Sequence, residues 1–272
     1  MIPERLLNLV RNTECDKSQA SHYPCTLFYN EGWMLRLLLD AFQSEGIEDH
    51  PLSFLENARW YSEARLPSPF SAQRRGDGRG EGSTSADNTI GHFQFREGTV
   101  AGLKLNEDAT QFVVVEAKMG SKLSEGTTNA KKYNQAARNV ACMAEVIHRW
   151  AFPNNDSERA QHSLNDLSSV GFYVIAPADT AKIHERQTDA NTICQAVEAR
   201  RVQYDEKSTT LREWHTKSFT PLIDKLADGN LKVLSWESCI KVIKNKNADV
   251  GKELETFYQT CLDLTKRSEK MD

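Results

Sequence analysis

The run Gln111-Phe-Val-Val-Val-Glu-Ala-Lys-Met119 constrains the fold of this chain more than any other stretch. Phe112 to Val115 is a short, β-branched apolar block, the kind that fills a central strand buried on both faces. A strand of that type needs covering layers on both sides, which points to an α/β chain with a central sheet between helices. Glu116 and Lys118 end the run. Residues two apart on a strand share a face, so a carboxylate and an ammonium project together, about 6.5–7 Å apart along the strand. That pair reads either as a salt-bridged strand end or as chemistry, and its neighbours in the sequence separate the two readings.

Tyr29 to Phe42 reads as a helix with Asn30 as N-cap and an apolar stripe of Leu35, Leu38 and Phe42. Glu31 extends that stripe backwards by one turn. A carboxylate on the core side of a helix is costly unless paired or bound to a metal, although one in the first turn also favours the helix dipole. Pro51 to Arg65 is expected to hold a second helix. Residues 66–86, with four glycines, two prolines and Arg74, Arg75 and Arg79, read as a flexible loop. Asn88 to Phe95, Val100 to Leu105 and Gln111 to Ala117 read as strands joined by short turns, an antiparallel meander. In it, Asp87 and Glu116 can come together.

Tyr133 to Trp150 is a strong amphipathic helix whose alanines allow close packing on a sheet. Gln135 and Arg138 open it on one face. From Lys118 to Arg138 the cations are Lys118, Lys122, Lys131, Lys132 and Arg138, against Glu125 alone. Val170 to Ala176 is a further buried strand. Beyond it come helices over residues 179–205 and 211–226, a strand over residues 231–236 and a final amphipathic helix.

The order is helix with Glu31, three strands carrying Asp87 and Glu116-Ala117-Lys118, helix with Gln135, strand. It resembles the PD-(D/E)XK nuclease superfamily, the restriction-endonuclease-like fold. Ala86-Asp87 stands where that motif has Pro-Asp, and Glu116-Ala117-Lys118 where it has (Asp/Glu)-x-Lys. Ala86 departs from the motif's proline, and the gap from Asp87 to Glu116 is long. The resemblance covers roughly residues 27–177. It implies an αβββαβ core over residues 27–178, with residues 1–26 as an N-terminal arm and 179–272 as a mostly helical extension carrying one added strand. It implies a metal-dependent phosphodiesterase acting on DNA rather than RNA, in defence, restriction or repair. Asp87, Glu116, the Ala117 carbonyl and Glu31 would ligate Mg²⁺ or Mn²⁺, both oxygen-seeking cations. Lys118 would act on the attacking water and Gln135 would position it. Lys122, Lys131, Lys132, Arg138, Arg74 and Arg75 would track the phosphate backbone. A homodimer would suit the cutting of two strands. The alternative is the same fold kept as a binding module without catalysis.

A net charge of −4 over 272 residues confines any nucleic-acid contact to a local patch. No apolar run is long enough for a membrane span and no signal peptide is visible, so a soluble, cytoplasmic protein is expected. The six cysteines include no C-x-x-C pair and read as reduced thiols. Cys15, His22 and Cys25 match no common zinc spacing. His92 and the five tryptophans read as packing residues.

Overall fold

The computed structural model describes residues 24–72, 74, 76–126, 130–153 and 160–268. Cys15 and His22, most of the N-terminal arm and Arg75 lie outside them. The chain forms an α/β structure around a mixed five-stranded sheet. In chain order the elements are α1 (Glu31–Ser44), β1 (Arg59–Leu66), β2 (Thr84–Gly91), β3 (Phe93–Phe95), β4 (Leu103–Leu105), β5 (Gln111–Ala117), α2 (Gln135–Ala151) and β6 (Ser169–Ala176). Then follow α3 (Ala181–Glu185), α4 (Ala190–Asp205), α5 (Thr209–Trp214), α6 (Thr220–Ala227), β7 (Leu231–Ser235), α7 (Trp236–Lys246) and α8 (Ala248–Ser268). The sheet order is β1-β2-β5-β6-β7. β1, β2 and β5 run antiparallel, whereas β5, β6 and β7 run parallel.

β5 is buried along its whole length, as its unbroken apolar block requires. Phe112 and Val114 pack on one face with α2 and helices α4 to α6. Val113 and Val115 pack on the other with α1, α7 and α8. The C-terminal helices therefore complete both covering layers instead of forming a separate unit. At the N-terminal end of β5, Gln111 is buried and saturated. Its Oε1 accepts from the Leu55 N–H at 3.0 Å, and its Nε2 donates to the Ser53 carbonyl at 2.8 Å and to Ser169 Oγ at 3.2 Å. Beside it, His92 Nδ1 accepts from the N–H groups of Thr110 and Gln111, both at 3.2 Å. His92 is thus a local hydrogen-bonding residue.

Several sequence expectations are corrected. Pro51 to Arg65 is not a helix: Arg59–Leu66 is the edge strand β1. Trp60 and Tyr61 suit a strand paired to a neighbour, a tertiary preference that a helical reading of the aromatic spacing overlooks. The strand expected over residues 88–95 breaks at Gly91 and His92. Gly91 has φ +147°, and a Cβ there would lie 2.1 Å from the Gln111 carbonyl oxygen, so only glycine permits that turn. The segment beyond it, β3, pairs with β4 in a small separate sheet. The stretch Val100 to Leu105 thus leaves the central sheet, and β1 takes its place. Trp33 is partly exposed, unlike Trp150, Trp214 and Trp236.

Residues 66–86 are not a free loop. Leu66 and Phe70 are fully buried, and Ser71 bridges Glu81. Arg200 on α4 reaches across to this segment. Its Nε meets Glu81 Oε1 at 2.7 Å and its Nη2 donates to the Arg79 carbonyl at 2.5 Å. Its guanidinium also lies 5.3 Å from the Phe70 ring centre, and Tyr204 Oη donates to the Ser71 carbonyl at 2.5 Å. The partners are more than a hundred residues away in sequence, so local composition could not reveal them. Arg74 is exposed. Cys25, Cys142, Cys194 and Cys239 are free thiols. Among the described residues no helix is long and apolar enough to cross a membrane.

Candidate active site

The sheet changes from antiparallel to parallel at β5, and the C-terminal end of that strand opens between its neighbours, the kind of place where α/β sheets present ligand sites. Glu116 and Lys118 occupy it. They share the α2 side of the sheet, and Lys118 Nζ lies 2.7 Å from Glu116 Oε1 with both residues buried. Gln135, the first residue of α2, also donates to Glu116 Oε1. Its own Oε1 accepts from the Ser124 N–H at 3.3 Å, so the amide is fixed from both sides. Asn139, one turn along, is fully buried and donates to Glu116 Oε2 at 3.0 Å. Positions 135 and 139 are neighbours on a helix face, so α2 presents two amides to one carboxylate. The N-cap Asn134, whose Oδ1 accepts from the Ala137 N–H at 2.8 Å, fixes where that face begins.

Asp87 comes in from β2. The β2–β5 ladder pairs Asn88 with Val115, which brings Asp87 alongside Glu116. Asp87 Oδ2 accepts from the Ala117 N–H at 2.8 Å. Glu31, at the start of α1, comes from the opposite layer, and its Oε2 accepts from the Met119 N–H at 3.0 Å. Trp236 Nε1 donates to the Lys118 carbonyl at 2.9 Å. The structure therefore gathers Glu31, Asp87, Glu116, Lys118 and Gln135 around one strand end, with buried Ala117 at its centre. Asn139 is an addition that sequence reasoning missed. The signal was present: it is a polar residue four positions after Gln135 in a helix otherwise lined with small apolar side chains.

Glu63 is a second missed residue. The β1–β2 ladder runs Ser62–Asn88, skips Glu63 and Asp87, and resumes at Ala64–Ala86. Glu63 has φ +59°, an uncommon conformation for a non-glycine residue within a strand. Trp60 and Ile90 pack on the α1 side of the sheet, whereas Ala64 and Ala86 pack on the α2 side. Both strands thus exchange faces at Glu63 and Asp87. Ser62 Oγ donates to the Asp87 carbonyl at 3.2 Å and accepts from Arg36 Nε at 2.9 Å.

The electrostatics follow from crowding carboxylates where water is scarce. Burial raises the Glu116 pKa well above the ordinary carboxylate range and Asp87 raises it further, while Lys118 opposes both. Burial also raises the Glu31 pKa, against the pull of Lys118 and the Met119 N–H. Glu63 is raised by burial and by Asp87. For Lys118 burial acts downward, but Glu116, Asp87 and Glu31 outweigh it, and the ammonium is held above its usual range. One lysine serves three carboxyl groups, and burial disfavours ionising all of them at once. Glu31, Asp87 and Glu116 are hard oxygen donors of the kind Mg²⁺ and Mn²⁺ take. Among the described residues, however, no group of three or more His, Cys, Asp or Glu side chains is already arranged to hold a metal ion.

The basic residues divide. Arg138 is half-buried beside Gln135, and its Nη2 donates to Ser124 Oγ at 2.9 Å. Lys122 is exposed on the loop after β5. Lys131 and Lys132 are also exposed but line a different cavity, of about 390 Å³, against Arg200 on α4. No protein-family model, curated protein or solved structure matches this chain.

Proposed function

We propose that this corner hydrolyses phosphodiester bonds with the help of a divalent cation, as a nuclease of PD-(D/E)XK type acting on DNA. The observation that carries the reading is the meeting of Glu116 and Lys118 with Asp87, Glu31 and Gln135 at one strand end, drawn from four separate elements. The element order α1, β1, β2, β5, α2, β6 supports the same fold reading, with the β3–β4 hairpin as an insertion.

Asp87, Glu116 and Glu31 would hold the cation, which would offset the cost of ionising carboxylates that burial holds above their usual range. Such an ion polarises a phosphoryl oxygen and lowers the pKa of a water molecule. The chain's own groups do the rest. Lys118 is kept protonated by three carboxylates, so it serves as a fixed cation that orients water and offsets charge on the phosphate. Gln135 and Asn139 fix the Glu116 carboxylate from α2, and such supporting contacts keep a reacting geometry tight. Arg138 supplies positive charge for a neighbouring phosphate.

The test is incubation of single-stranded, linear duplex and supercoiled DNA with wild type, Lys118→Ala and Asp87→Ala in Mg²⁺, Mn²⁺ or EDTA. The reading expects metal-dependent cutting by wild type alone. Cutting that survives both substitutions, or a wild type that neither cuts nor binds Mn²⁺ by calorimetry, removes it.

A further inference from the structure

The segment fastened by Arg200 forms the outer wall of a groove. Residues 80–85 face Gln135 and Arg138 across a cavity of about 380 Å³. Apart from Glu81, that wall is glycine, serine and threonine, so it offers backbone groups and hydroxyls rather than apolar or aromatic surface. Glu81 is neutralised by Arg200 at 2.7 Å, which leaves Arg138 as the charge that sets the groove's sign. Arg138 Nε is buried without a hydrogen-bond partner. Gln135 joins the groove to the carboxylate corner, since the same side chain lines the one and donates to Glu116 in the other.

We propose that this groove takes one unpaired nucleic-acid strand, with its sugar–phosphate backbone between the wall and Arg138. The inference rests on the nuclease reading and narrows its substrate. A cleft of this volume is of the size that holds a small ligand, enough for a nucleotide and its phosphate, whereas a duplex carries two backbones and cannot pass between the walls. The wall cannot swing aside freely, because Arg200 and Tyr204 hold it to α4. A small polar wall with one arginine reads backbone rather than base, so little sequence preference is expected.

Gly82 gives a direct test. A Cβ added there meets nothing within 4 Å, in contrast to Gly80, where it would lie 2.3 Å from the Ala72 Cα. Gly82→Phe therefore adds a ring at the groove lining without a backbone clash, and Ser83→Phe, on an exposed neighbour, is the second plug. Val100→Phe, at a site 89% exposed, is the control. Binding of fluorescent oligothymidylate and oligouridylate, and of each paired with oligoadenylate, is measured by anisotropy in EDTA, so the result does not depend on cleavage. Wild type is expected to bind a single strand at least about tenfold more tightly than a duplex, within the range a backbone groove supplies. Both plugs should remove about tenfold of single-strand affinity at an unchanged melting temperature, and Val100→Phe should change neither. Equal affinity for duplex and single strand, no affinity for either, or plugged variants that bind as wild type would overturn the proposal. Single-strand preference without cleavage would remove the nuclease reading alone, and cleavage without that preference would remove this one alone.

Discussion

The two ends of β5 bury polar side chains to a similar depth for opposite reasons. At the N-terminal end Gln111 is neutral, and its side-chain amide is taken up by Leu55, Ser53 and Ser169. At the C-terminal end Glu116 and Lys118 are ionisable, and Glu31 and Asp87 crowd the same few ångströms. Neutral groups that are fully hydrogen-bonded stabilise a fold at little cost. Unbalanced buried charge costs stability, and such strain concentrates at functional sites. One end of the strand is therefore built to hold the molecule together, and the other is where the proposed chemistry would sit.

Four substitutions would break or sharpen that contrast. The largest effect is expected from Lys118→Ala, which should lower metal-dependent cleavage by about a thousandfold, the range for losing a charge-stabilising group, with the fold retained by circular dichroism. Asn139→Ala should reduce cleavage by about 10- to 100-fold, as for other groups that orient a ligating carboxylate. It should also weaken Mn²⁺ binding by calorimetry, which a purely structural residue would not do. Gln111→Leu should do the reverse. It leaves the Leu55 N–H and Ser53 carbonyl without their partner and should cost about 2–4 kcal/mol in urea unfolding, with cleavage by the folded fraction unchanged. If Gln111→Leu abolished cleavage at full stability, the division between the two ends would fail.

The last prediction concerns pH. In EDTA the raised pKa of buried Glu116 is expected to hold its proton to a higher pH than in the unfolded chain. The native state then binds more protons, and stability falls as pH rises through the window from about 4.5 towards about 8. Glu116→Gln should flatten that part of a melting-temperature profile. A wild-type profile that instead rises across the window would show that Lys118 fully compensates the carboxylates.

Much of this arrangement was legible in the sequence, but only where local pattern and tertiary role coincide. β5, β6, α1 and α2 announce themselves through long apolar periodicity. Glu116, Lys118, Glu31 and Gln135 could be placed because each sits at a fixed offset from one of those elements, and Asp87 because its strand pairs with β5. β1 was misread because Trp60 and Tyr61 satisfy a helical or an extended pattern equally well without their partner strand. Glu63 followed β1 out of view. The wall over residues 66–86 was hidden because its glycine-rich composition describes a free chain, whereas its order comes from Arg200 and Tyr204. The β3–β4 hairpin was mistaken for part of the sheet because the break depends on the close approach of Gly91 to Gln111, which leaves no mark beyond a single glycine.

The bond from Trp236 to the Lys118 carbonyl has a consequence for how the protein is made. The carboxylates and the lysine are all translated by residue 118, but the indole that braces that strand end arrives 118 residues later. The latch on the groove wall waits for residue 200. A chain still on the ribosome therefore has the carboxylates and lysine of the corner before it has the parts that fix them. Completion of the corner is tied to completion of synthesis, so unfinished chains lack the bracing of the finished site.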